Sequence, residues 1–370
     1  MKGLVIWAHS YCRSTLGFYR GLGIAFGVPI KLIMFIKTCN NRKSIGFTDD
    51  EFSDLDICYF KDIESSKLII NQYKDWNHLF GVYQQDNGCR DLLHYAKMEG
   101  CKTAVISEAP CNMDKFPRRI LKHFYIRFFL PRKVKQATID ADFLINLSGG
   151  ENWRMERVGW NPSKIIACGY YSPAIVGSHL VKRTEKNWVH FTILLSGAHQ
   201  WHRSPIVLLR ALHELDKRGR KYECNITQKG PLLEKMKKYI SEHNMYNVHL
   251  LGFLSMQELI ANYENCSVYV GAGNNEPWGM RLNDALLCGA PLVVNRGMGG
   301  FKLVEDYGCG LTFARNNHME LANALERLIT DKQLYIKFAN AAFEAAGKIE
   351  PTTKAKETAN LIRKRFPEWV

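Results

Sequence analysis

Residues 267–300, SVYVGAGNNEPWGMRLNDALLCGAPLVVNRGMGG, carry the residue types needed to hold an elongated anionic ligand. An apolar run leads into small and polar residues, then an acid, Glu276, and then a helical pattern expected to start near Trp278–Gly279. The first backbone N–H groups of a helix have no internal partners, and the helix dipole favours negative charge there. Gly279 removes a side chain where a phosphate would approach. The N–H groups of Gly279, Met280 and Arg281 therefore form a candidate diphosphate cradle. Asp284 stands eight residues after Glu276, about 12 Å along a helix at ~1.5 Å per residue. One atom cannot touch both carboxylates. A nucleotide sugar can reach both, with ribose hydroxyls at one end, sugar hydroxyls at the other and diphosphate between. The alternative is that both acids are ordinary solvated residues of a helix start.

Two other strand ends hold candidate groups. The loop Ala8–Arg13 follows the first expected strand. Its His9 and Ser10 either line the acceptor side or, for His9, serve as a structural histidine. Glu108, in Ser107-Glu108-Ala109-Pro110, either contacts the acceptor hydroxyl or donor sugar or caps the next helix. None of the 12 histidines has metal-ligand spacing, and no Asp-x-Asp pair stands at a strand end. The 11 cysteines are scattered and odd in number, with no CxxC pair. No metal, no cofactor and no disulfide framework is expected, and the cysteines read as reduced thiols.

These loops must be held by a scaffold, and the apolar pattern supplies one. Short apolar runs at 3–7, 31–36, 55–59, 79–83, 103–107 and 143–147 alternate with amphipathic stretches, the rhythm of a parallel sheet covered on both faces. The rhythm restarts with strands at 190–195, 221–227, 248–251, 267–270 and 291–294, and helices at 203–217, 232–240 and 256–263. From residue 318 onward the pattern is helical. The polar stretch 178–187 carries no apolar period and reads as a linker. The expected fold is α/β, with two doubly wound Rossmann-like domains facing each other across a cleft. The N-terminal, acceptor-binding domain covers 1–178, the linker 179–189, the nucleotide-sugar domain 190–345, and a closing helix 346–370. In such sheets ligands bind at the carboxyl ends of the strands. The most apolar stretch, 21–36, is interrupted by Pro29 and Lys31 and is too short to span a bilayer. The N-terminus has no signal-peptide pattern.

The run E-P-W-G-M-R-L-N-D-A-L-L-C-G-A-P-L-V-V, with the following G-G and V-E-D-Y-G-C-G-L, resembles the C-terminal signature of the family 4 (group 1) glycosyltransferases, GT-B enzymes of the bacterial surface-polysaccharide type. Their pattern is Glu, seven residues, Glu, and here Asp284 takes the second place. LLSGAHQWHRSPIVLLRAL resembles the family's first C-domain unit. Gly197 stands at its Gly, Ala198 replaces its Arg, and Arg203 stands at its Lys. Lys229-Gly230-Pro231 resembles its G-x-G-P turn, and Gly252-Phe253 the unit that holds the base. The resemblance implies that Glu276 contacts the transferred sugar and Asp284 the ribose, with Arg203 at the diphosphate and Lys229 among the donor-binding residues. It further implies a UDP-sugar donor, retention of anomeric configuration, a metal-independent reaction, and a C-terminal helix that returns to the N-terminal domain. The implied role is polysaccharide or lipopolysaccharide biosynthesis.

Charge points to an additional partner. Lys plus Arg number 50 against 36 Asp plus Glu, a formal balance of +14. Residues 115–135, KFPRRILKHFYIRFFLPRKVK, hold no acid and interleave cations with Phe116, Ile120, Leu121, Phe124, Tyr125, Phe128 and Phe129. This mixture reads as a segment for an anionic membrane surface. The alternatives are a packed helix with a solvated charged face and a nucleic-acid surface. The family resemblance favours a glycan or lipid-linked acceptor at the cytoplasmic face of the membrane, with peripheral attachment and no nucleic acid. The competing reading of the whole chain is a basic membrane- or nucleic-acid-binding protein without turnover.

Overall fold

Successive side chains on a strand point to opposite faces, so a strand apolar at every position must be covered on both sides. The first strand of the computed structural model, β1 (Leu4–Ser10), shows this. Leu4, Ile6 and Ala8 enter one apolar cluster, while Val5 and Trp7 enter another on the opposite face. The structure describes residues 1–10, 13–36, 54–81, 83–85, 87–150 and 152–370. Tyr11 and Cys12 of the first loop lie outside the described residues.

The described strands form two parallel sheets. The first contains β1, β2 (Ile30–Ile36), β3 (Asp56–Tyr59), β4 (Asn77–Phe80), β5 (Thr103–Ser107), β6 (Leu144–Asn146) and β7 (Ile165–Ala167), in the order β3-β2-β1-β4-β5-β6-β7. The second contains β8 (Thr192–Leu195), β9 (Glu223–Thr227), β10 (Val248–Gly252), β11 (Val268–Gly271), β12 (Leu292–Asn295) and β13 (Gly310–Phe313), in the order β10-β9-β8-β11-β12-β13. Both are doubly wound α/β sheets. The order reverses between β1 and β4 in one and between β8 and β11 in the other, and these are the switch points at which such sheets take ligands. The edge strands β7 and β13 were not expected from the sequence. β7 is three residues long and follows Pro162, and β13 opens on a glycine, so neither carries a readable period.

The chain divides into two units. One comprises 1–110, 120–173 and 350–370, the other 111–119 and 174–349. In the first, the helix Pro351–Arg365 packs on the helix Arg13–Phe26 and buries Ala355 and Ile362 beside Trp369 in the β1 cluster. At about 1.5–3 kcal/mol for a large apolar side chain, Ile362 and Trp369 anchor the C-terminal segment there. In the second unit, the stretch read as a linker is fastened down. Arg183 is 1% exposed, and its guanidinium donates to the carbonyls of Tyr263, Cys266 and Cys288. Those carbonyls end the helices Met256–Asn265 and Arg281–Leu287, so one arginine satisfies two helix C-termini. A short helix, Glu185–Val189, follows with a capping box between Thr184 and Asn187.

The basic stretch folds as a helix, Arg118–Phe124, a π-helical turn, Tyr125–Phe129, and a second helix, Leu130–Asp140. Only the last of these buries a face, through Leu130, Val134 and Ala137.

Candidate functional site

The two loops that leave the switch point of the second sheet, after β8 and after β11, carry Arg203 and Glu276. In the β11 loop, Glu276 pairs with Met298 in a β-bridge. The N–H of Gly299 donates to Glu276 O at 3.0 Å, and that of Gly300 to Trp278 O at 2.9 Å. Trp278 is buried, and its indole N–H donates to Asn283 Oδ1 at 2.9 Å. Gly279 has φ of 98°, and a side chain there would collide with Met298. This left-handed turn delays the helix, which starts at Arg281 rather than near Trp278. The spacing from Glu276 to Asp284 therefore crosses a turn and one helical turn, not two turns of one helix. The Met280 side chain makes no cap hydrogen bond at the helix start.

In the β8 loop the expected helix start at Arg203 is also displaced. Residues Trp201–Arg203 form a 3-10 turn, Ser204 takes a left-handed conformation at φ 46°, and the α-helix runs Pro205–Lys217. The Arg203 side chain lies over Gly197, which has φ of 114°. Its Nη2 lies 3.8 Å from Glu276 Oε1. Burial raises the Glu276 carboxyl above the ordinary range, and Arg203 and Arg281 act against that rise. Burial and then the neighbouring Arg203 charge lower the pKa of His202.

Asp284 Oδ2 receives a bond from Arg281 Nη1 at 3.1 Å, so this carboxylate is held by the residue three before it. Beneath them the hydroxyls of Ser196 and Tyr263 lie 2.5 Å apart, with Tyr269 joining at 3.3 Å. Burial pushes the Tyr269 phenol up to about 12. Lys229 follows β9, and Gly252 ends β10 with Phe253 next to it, on the same carboxyl edge. The Lys229 ammonium stands 5.9 Å over the Phe253 ring, which is exposed. The turn at Lys229 packs on His199, whose Nε2 donates to Thr227 O at 3.0 Å and whose Nδ1 is buried without a partner.

Asn274 and Met298 escaped the sequence reading. Met298 lies under the glycines of the β11 loop. Asn274 bonds to the β8 loop through His202 O and Ser204 Oγ. Neither type signals such a role in sequence, because both act through distant loops.

In the first unit, His9 and Ser10 end β1, and Glu108 follows β5, on the carboxyl edge of that sheet. The Glu108 carbonyl accepts from Gln84 Nε2 at 2.7 Å. In the basic stretch, no residue from Arg118 to Phe129 is buried. Leu121, Phe124, Phe128 and Phe129 are 72%, 53%, 50% and 60% exposed, which departs from a helix packed by its apolar side. Phe124 stacks on Phe128 at 6.0 Å, and Arg127 lies 5.9 Å over the same ring. Among the described residues no helix is long and apolar enough to cross a membrane.

Comparison with known proteins agrees with the two-sheet fold. Residues 181–345 match the family described as glycosyl transferases group 1. An uncharacterized glycosyltransferase of Methanocaldococcus jannaschii is 22% identical over 299 residues, covering 78% of this chain and 79% of the relative. Anabaena Alr3699/HepE, solved in complex with UDP, matches with a TM-score of 0.70 at 14% identity, over 98% of this chain and 100% of that one. The lipopolysaccharide outer core galactosyltransferase WaaB, in its apo form, matches with a TM-score of 0.68 at 14% identity, over 99% and 100%. At such identities the solved structures speak for the fold, and the family match speaks for the chemistry. Residues 181–345 thus resemble the group 1 glycosyl transferases, the chain as a whole has the GT-B fold, and together these matches support a glycosyltransferase enzyme.

Proposed function

We propose that the protein transfers a sugar from a UDP-sugar to a glycan or lipid-linked acceptor, with retention, in the assembly of a surface polysaccharide or lipopolysaccharide. The observation that carries this reading is the Arg203–Glu276 pair, 3.8 Å apart at the switch point of the second sheet. A cation for the diphosphate thus lies next to an acid for the sugar. Arg203, Lys229 and the N–H groups of Gly279, Met280 and Arg281 stabilise the charge that builds on the leaving diphosphate. Glu276 orients the donor sugar, Asp284 holds the ribose, and Gly252-Phe253 receives the base. His9, Ser10 and Glu108 serve the acceptor side. With two cationic side chains assigned to the diphosphate, the reaction is metal-independent, and chelation should leave turnover unchanged. Support for uridine comes from Alr3699/HepE, which was solved with UDP. The competing reading, a basic binding protein without turnover, leaves the group 1 match unexplained.

The exposed aromatic and basic surface of 116–129 serves as the peripheral contact with an anionic membrane. Exposed aromatics interleaved with cations gain both apolar burial and electrostatic attraction at such an interface. No nucleic acid is assigned to it.

The deciding experiment is a panel of UDP-, GDP-, ADP- and dTDP-sugars, read by hydrolysis and thermal shift. Selective stabilisation and hydrolysis with UDP-sugars is expected. A protein that no nucleoside diphosphate stabilises would not be using this site for a donor.

A further inference from the structure

We infer that Asn274 is a positioning residue that sets the Arg203 loop against the Glu276 loop. It stands two residues before Glu276 and uses its bonding capacity between strand ends. Its backbone N–H donates to His202 O at 2.5 Å, and its Nδ2 donates to Ser204 Oγ at 2.8 Å and to Asn316 Oδ1. Its Oδ1 accepts from Asn295 Nδ2 at 2.9 Å. Asn295 ends β12 and Asn316 follows β13, so one side chain ties together the loops after β8, β11 and β13 and the end of β12. Both amide hydrogens and the amide oxygen are satisfied, which fixes the side-chain orientation without ambiguity of rotamer.

Backbone conformation supplies a second, independent observation. Ser204, Asn275 and Asn316 have φ of 46°, 57° and 56°, in the left-handed region that side chains other than glycine disfavour. Two of these residues bond directly to Asn274, and the third is its chain neighbour. Such conformations persist where surrounding contacts over-determine them. Here the over-determining contact is Asn274. Ser204 adjoins Arg203, whose guanidinium lies over Gly197 and 3.8 Å from Glu276, so by holding Ser204 and the His202 carbonyl Asn274 acts on donor binding through the Arg203 loop without touching the ligand.

The inference rests on the donor reading for its functional consequence, and its test separates the two. Asn274→Ala is expected to weaken UDP binding about tenfold, comparable with losing one well-placed charge-assisted bond, while leaving uridine affinity unchanged. Amide exchange should quicken in residues 197–204 and 313–317 and stay unchanged in the strands of the second sheet. Ser204→Ala removes one of the bonds with little risk to folding and should give a smaller loss of the same kind. The double variant should be no worse than Asn274→Ala alone, because the two residues share the interaction. Equal loss of UDP and uridine binding in Asn274→Ala, or UDP affinity within twofold of the parent, would overturn the inference. If the parent itself binds no nucleoside diphosphate, the donor reading fails. Exchange then decides alone, and unchanged protection of 197–204 in folded Ser204→Ala overturns the positioning role too.

Discussion

The guanidinium of Arg203 occupies the space that a β-carbon at position 197 would take, so Gly197 and Arg203 act as one unit. The glycine is required twice, by its φ of 114° and by the side chain lying on it. Gly197→Ala should therefore displace Arg203 and reproduce much of the effect of Arg203→Ala. A bond to a charged group contributes about 1.5–3 kcal/mol, so both variants should lose roughly tenfold to a hundredfold in affinity for UDP and little for uridine. Isothermal titration with the two ligands checks this. Parent-like UDP binding by Gly197→Ala would remove Arg203 from the donor site.

The two carboxylates should separate kinetically. On the proposed donor placement, Glu276→Gln acts at the sugar end and should cut kcat strongly with donor KM nearly unchanged. On the same placement Asp284→Asn acts at the ribose end, also loosens Arg281, and should mainly raise donor KM. Identical behaviour of the two variants would contradict a donor that spans both.

Glu276 also predicts a pH-dependent trade of stability for function. Its carboxyl is raised in the folded protein by burial, with Arg203 and Arg281 opposing. A raised carboxyl destabilises the fold fully above its folded pKa, and the penalty vanishes as pH falls below the unfolded value of about 4.3. Glu276→Gln mimics the protonated form, so its Tm should exceed the parent's at pH 7–8, and the gap should close toward pH 4. Thermal unfolding across that range is the measurement, and a gap that widens on acidification would reverse the assignment.

The membrane surface gives a fourth expectation. Replacing Arg118, Arg119, Lys122 and Arg127 with Gln should cost several kcal/mol of binding to anionic vesicles, at roughly 1 kcal/mol per basic residue, and added salt should mimic it. Phe124→Ser with Phe128→Ser should weaken vesicle binding in a salt-independent way. Turnover on a short soluble acceptor should survive in every variant. Unchanged flotation with vesicles would leave the exposed aromatics without this role, and binding to nucleic acid in place of vesicles would favour the competing reading.

The sequence by itself determined what local patterns can encode. The unbroken apolar run of β1 and the repeated strand–helix rhythm give parallel sheets covered on both faces. The order Glu276, Gly279, Asp284 after an apolar run marks a strand, a loop and a helix with an open N-terminus. These follow from periodicity and from the unpaired N–H groups of a helix start, which involve neighbours in the chain. The tertiary structure decided the rest. It placed Arg203 over Gly197 and beside Glu276, a contact between two strand-end loops that no local pattern announces. It made the polar segment around Arg183 an anchor, because the carbonyls that segment satisfies lie 80 or more residues away. It gave Asn274 its part through a bond to Ser204 across 70 residues of sequence. Such contacts form only when the crossovers bring the strand ends to one edge, and that is why residue type and spacing alone pass over them.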